Sequence, residues 1–183
     1  MSRIEAEADT LAVFSDLPEI RPPFEYFGGR IIQKMSPKIR HSIIQTGLSY
    51  RLMGHCLGRQ AGRVFIELRC TFGGESHVFD LCYFAEGRIP RPGDLDEQGN
   101  VRTPPDLAIE VLSPGQTVGE LSRKLRSAIR RGVKVGWLID EARRQVLTFR
   151  PRKPPVVLEP GESLSAEDLL PGFSLPVGEM FDW

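Results

Sequence analysis

Cysteine is scarce in this 183-residue chain: Cys56, Cys70 and Cys82 are far apart and odd in number. No CxxC or Cys/His ligand spacing accompanies them, which argues against structural zinc and fits a reduced, cytoplasmic setting. A continuous apolar run of about 18 residues, the length a membrane-spanning helix needs, is also missing, so no membrane association is expected. The opening residues, MSRIEAEADTLAVF, are acidic and do not read as a signal peptide. No excess of one charge exists either, because Lys+Arg and Asp+Glu number 24 each. A global basic field that would draw the chain onto nucleic acid is thereby excluded, and any such partner must be held by a local patch. What the chain does have is 40% hydrophobic residues, enough for one ordinary core.

Punctuation by Gly and Pro divides the rest. Residues 1–23 read as a short helix or arm ending at Pro22-Pro23, and 24–183 as a single domain. Phe24 to Met35 reads as two short strands about a Gly-Gly turn. His41 to Leu57 reads as a helix, with Ile44, Leu48 and Leu52 at steps of four. Strands are expected over Arg63–Phe72, Val78–Ala85 and Leu107–Leu112, with an exposed loop over 86–105 that is rich in Gly, Pro and Asp. Thr117 and Glu120 form a T-x-x-E capping box, so a helix starts near Val118 and closes at Arg131-Gly132. Val135–Ile139 and Gln145–Phe149 follow as a hairpin. Leu169, Leu170, Phe173, Leu175 and Phe181 in the tail are expected to pack back onto the core.

Two acids stand inside apolar strand sequences. Glu110 lies between Ile109 and Val111, and Asp80 between Phe79 and Leu81. A buried carboxylate is costly unless paired, protonated or on a metal. If the two strands are neighbours, both acids reach one face of the sheet, and a pair of hard oxygen ligands suits Mg2+ or Mn2+. Lys124 borders the stripe of Val118, Leu121, Leu125, Ala128 and Ile129, from which its ammonium can reach the acids. The plainer readings are an arginine partner for Glu110, a solvent-facing edge for Asp80, a strand-capping Asp106 and a surface His41. His55 and His77 have no visible partner, and Trp137 reads as core.

The order F-D-L (79–81), P-D-L (105–107), E-V-L-S-P (110–114), Lys124, G-V (132–133), Trp137 and Asp140 resembles the Uma2 family, DUF820, classed among restriction endonucleases. Gly29-Arg30, Met35-Ser36-Pro37, His41 and Leu170-Pro171-Gly172-Phe173 extend the likeness over residues 24 to 181. The resemblance implies the PD-(D/E)XK superfamily: an α/β (α+β), restriction-endonuclease-like fold with a mixed central β-sheet flanked by helices. It implies a Mg2+-dependent endonuclease acting on DNA, cytoplasmic and of bacterial type, with a homodimer plausible. Asp80 and Glu110 become metal ligands, and Lys124 a group that orients water or phosphate. His41 becomes a further candidate near the site, with Asp106, Ser113 and Glu25 as supporting or substrate-contacting residues. Two departures stand against catalysis: Phe79 replaces the proline of the superfamily's Pro-Asp pair, and Leu112 occupies the lysine position of the (D/E)XK triplet. The alternatives are therefore an inactive nucleic-acid-binding module on the same fold, or a protein that binds some other partner.

Overall fold

The computed structural model describes residues 5–7 and 11–183. In chain order the elements are β1 (Glu5–Glu7), α1 (Leu11–Ser15), β2 (Phe24–Phe27), β3 (Arg30–Gln33) and α2 (Ile39–Leu57). Then come β4 (Gly62–Ile66), β5 (Arg69–Phe72), β6 (Glu75–Val78), β7 (Leu81–Ala85), β8 (Leu107–Val111) and α3 (Val118–Arg130). The chain closes with β9 (Val135–Asp140), β10 (Gln145–Phe149), β11 (Val156–Leu158), β12 (Ser163–Leu164), β13 (Leu175–Pro176) and α4 (Val177–Asp182).

The larger sheet has the order β11-β10-β9-β8-β7-β4. It is mixed: β8 and β9 run parallel, joined through α3, and the other pairs are antiparallel. Its central strands, β7, β8 and β9, are buried on both faces, and alternation sorts their side chains. Leu81, Tyr83, Ile109, Val111, Trp137 and Ile139 share one cluster with Ile44, Leu48 and Leu52 of α2 and with Leu170, Phe173, Leu175 and Phe181 of the tail. Cys82, Phe84, Ala108 and Leu138 point to the other face and pack on Leu121, Leu125 and Ala128 of α3. The start of α3 is fixed as the sequence predicts. Thr117 Oγ accepts from the Glu120 backbone N–H at 3.2 Å, and the Glu120 carboxylate accepts from Thr117 N at 2.8 Å.

The smaller sheet has the order β1-β3-β2-β6-β5. Its presence corrects two strand expectations. Arg63–Phe72 is not one strand: Glu67 takes φ 53°, and the chain turns from β4 in the larger sheet to β5 in the smaller one. Val78–Ala85 is likewise divided, because β6 belongs to the smaller sheet and β7 to the larger. Asp80 therefore lies in the two-residue link between sheets, not within a strand. The apolar run VFDLCYFA is continuous because both sheets are buried there, so composition carries no mark of the change. Among the N-terminal residues, Phe14 of α1 packs against Tyr26 and Ile31 of the smaller sheet.

Candidate active site

The antiparallel register sets Leu81 opposite Ile109, so the next step outward along both strands brings Asp80 beside Glu110. Glu110 meets Lys124 on the face covered by α3, while Asp80, in the link, meets Lys34 and His41. The Val111 backbone N–H donates to Asp80 Oδ2 at 2.8 Å, tying the link to the end of β8. Lys124, about one turn from Leu121 on one side and Ala128 on the other, is 1% exposed and reaches Glu110. Its Nζ lies 2.7 Å from Glu110 Oε1 and 2.5 Å from Glu25 Oε1, and it donates to the Val78 carbonyl at 3.2 Å. The ring of Phe79 sits beneath the ammonium, 5.3 Å from centroid to Nζ.

A second lysine completes the cluster. Lys34, just past β3, places Nζ 2.7 Å from Asp80 Oδ1, 2.9 Å from the Val78 carbonyl and 3.4 Å from Glu67 Oε1. Glu25 on β2 accepts from the Val78 backbone N–H at 2.6 Å. His41, in the first turn of α2, shares a 2.8 Å hydrogen bond through Nδ1 with Ser113 Oγ, and its Nε2 is 3.5 Å from Asp80 Oδ2. Gln45, one turn further along, donates to the Asp80 carbonyl at 2.8 Å.

The electrostatics follow from burial working against these pairs. Asp80 and Glu25 are pushed upward by burial, but the lysines outweigh it and both carboxyls end below their ordinary values. Burial likewise opposes the Lys34 ammonium, yet Asp80, Glu110, Glu25 and Glu67 together raise its pKa. Glu110 is the exception. Burial dominates there, Lys124 offsets it only in part, and Asp80 adds repulsion, so its carboxyl is pushed up to about 8. Three buried carboxyl groups, Glu25, Asp80 and Glu110, thus face two buried ammoniums, Lys34 and Lys124, with half-exposed Glu67 beside Lys34. Among the described residues no three His, Cys, Asp or Glu side chains converge as a ready cage for an ion. The donor set is instead two hard oxygen ligands, Asp80 ionised and Glu110 releasing its proton to a cation, which suits a small divalent ion that keeps several waters.

Of the residues singled out from sequence, Asp80, Glu110, Lys124, His41, Ser113 and Glu25 are brought together. Asp106 is not. It stands at the opposite end of β8 from Glu110, about 13 Å along the strand by its rise per residue. There its buried carboxylate accepts from Ala85 N at 2.9 Å and pairs with Arg88 at 3.1 Å and Lys134 at 2.8 Å, clamping the strand ends. The expected lack of a partner for His77 is also corrected. Its Nε2 lies 3.1 Å from Glu75, whose carboxylate further accepts from Ser127, Arg131 and Gly28 N. Sequence reasoning missed Lys34, Glu67 and Gln45. A signal for Lys34 was present: it stands two residues after Ile32 on the inward-facing side of the strand, where a lysine needs an acid.

The sequence profile of the family described as "Uma2: Putative restriction endonuclease" matches residues 11–178. The chain belongs to the Uma2 family. A solved structure, described as a putative nuclease belonging to DUF820 from Anabaena variabilis ATCC 29413, is 34% identical and superimposes with a TM-score of 0.86. The match covers 96% of this Uma2 chain and 99% of that one. No curated protein matches it. The mixed-sheet α+β architecture expected from the sequence is the one observed. No helix among the described residues is long and apolar enough to cross a membrane.

Proposed function

We propose that the cluster around Asp80 and Glu110 is the active site of a divalent-cation-dependent endonuclease that hydrolyses phosphodiester bonds in DNA. The supporting observation is the convergence of three buried carboxyl groups on two buried ammoniums, with Glu110 left as the undercompensated acid whose proton a cation can displace. Asp80 and Glu110 would hold Mg2+ or Mn2+; such an ion, when bound, acidifies water and offsets charge on the phosphate in flight. Lys124 is placed to shift from Glu110 toward the attacking water or a phosphate oxygen while keeping its contact with Glu25. Lys34 and His41 position Asp80, one through its Oδ1 and the other beside its Oδ2, and Ser113 anchors the His41 ring. Arg123, Arg126 and Arg130 stand exposed on the outer face of α3 and offer a local strip for the phosphate backbone. Three buried, unpaired thiols suit a cytoplasmic protein of bacterial type.

The test is incubation of the protein with plasmid in Mn2+ and in Mg2+. Nicking or linearisation is expected, falling at least about 100-fold in Asp80→Asn, the scale on which lost electrostatic stabilisation acts. A second reading, a DNA-binding module without catalysis, draws on Phe79 and Leu112 and on the two lysines that already occupy the acids. Salt-dependent DNA binding with no cleavage in either metal would favour that reading. A flat salt response would remove nucleic acid from both.

A further inference from the structure

The outer face of α2 carries a row of side chains that the fold leaves uncovered. Ile39, Ile43, Thr46, Tyr50, Met53 and Leu57 follow one another at alternating steps of four and three. That 3.5-residue repeat lines one side of a helix, the seam geometry of a helix packed on a helix. Ile44, Leu48 and Leu52 point the opposite way, into the core. Ile39 and Tyr50 are each 77% exposed and Leu57 74%, Met53 and Thr46 are exposed, and Ile43 is half-buried. A helix apolar on two opposite faces is one that is covered on both. The contrast with α3 is direct, since α3 buries Leu121 and Leu125 and turns Arg123, Arg126 and Arg130 outward.

Gly54 adds an independent observation. It is exposed beside this row, has no left-handed φ, and a Cβ built there would meet nothing within 4 Å. Glycine inside a helix costs about 1 kcal/mol relative to alanine, and nothing in its own chain needs it. A bare Cα there lets a second backbone come close.

We propose that two copies of this chain pack through α2, antiparallel, about a two-fold axis at the level of Leu48. The spacing of the row is symmetric about that position. An antiparallel pair sets Ile39 against the partner's Leu57, Ile43 against the partner's Met53, and Thr46 against the partner's Tyr50, as a self-complementary two-fold interface requires. No charged residue lies in the row. Arg40 and Arg51 beside it are held by Glu141 and Glu179 of their own chain, so the pairing brings no like charges together. Five of the six side chains are exposed, three of them by about three quarters, so pairing covers large apolar side chains from both copies along the whole length of α2. The inference does not depend on the chemistry of the acid–lysine cluster, whose His41 and Gln45 lie on the opposite side of the helix.

Sedimentation velocity of the full chain over a concentration series tests it. The wild type is expected to run as a dimer and Tyr50→Glu as a monomer, with self-association weakened about 100-fold, as for a buried aromatic anchor. Because Tyr50 is exposed, the variant should keep the far-ultraviolet spectrum of the wild type. A second measurement is independent of that variant. Ile43→Cys protein mixed with Met53→Cys protein should form a disulfide-linked pair on mild oxidation, and Ile39→Cys mixed with Ile43→Cys should not. A wild type that is monomeric throughout, a dimer that survives Tyr50→Glu, or cross-linking indifferent to register would each overturn the proposal.

Discussion

Lys34 Nζ lies 2.7 Å from Asp80 Oδ1, joining the end of a strand in the smaller sheet to the link that enters the larger one. Asp80 is therefore a charged hinge-point between two sheets as well as a candidate ligand. Its ionised state in the absence of any cation is sustained by that lysine.

Replacing Lys34 by methionine should cost about 3 kcal/mol at neutral pH, the range for removing one partner of a buried pair. The sign with pH follows from Asp80, whose folded pKa is depressed below its ordinary value of 3.8. Its pairing contributes stability above pH 4 and loses it as pH falls through the folded value. The gap between wild type and Lys34→Met in urea titrations should thus narrow from pH 7 toward pH 2. A gap of constant size would mean that the pair is not what the lysine contributes.

Glu110 behaves in the opposite sense. Its folded pKa is raised from 4.5 to about 8, so the folded state holds a proton that the unfolded state releases. Stability is lost progressively as pH rises from about 4.5 to 8 and stays low above. Glu110→Gln removes that slope, and its melting temperature should gain on the wild type across this window. Parallel melting curves from pH 5 to 8 would refute the assignment.

The same proton opposes a cation. Calorimetric titration with Mn2+ should show affinity rising with pH and levelling near 8, with proton release on binding and no binding heat in Asp80→Asn. Affinity independent of pH would separate Glu110 from the cation.

Asp106→Ala is expected to lower stability by about 2 kcal/mol, since it removes the buried acceptor that the Ala85 N–H, Arg88 and Lys134 share at the strand end. It should leave Mn2+ affinity unchanged. A loss of affinity equal to that of Asp80→Asn would return Asp106 to the site.

Much was legible in the linear order of residues. The capping box set the start of α3, the steps of four set the buried face of α2, and an acid between Ile109 and Val111 announced a cost that some partner must offset. These features depend on neighbours within a few residues, where period and local hydrogen bonding leave a mark. The route of the chain between sheets left none. VFDLCYFA reads as one strand whether or not it changes sheets, because both sheets are buried there, and only the turn at Glu67 and the break at Asp80 separate them. The ion partners were equally hidden. Lys34 and Asp80 lie 46 residues apart and Lys124 and Glu25 lie 99 apart, and burial of opposite charges at close range is decided by packing across layers. Sequence by itself determined which acids stand in apolar surroundings and which faces are apolar; the tertiary structure decided which acid holds which lysine, which acid is left undercompensated, and that Asp106 is clamped by Arg88 and Lys134 away from the cluster, because those contacts form between layers.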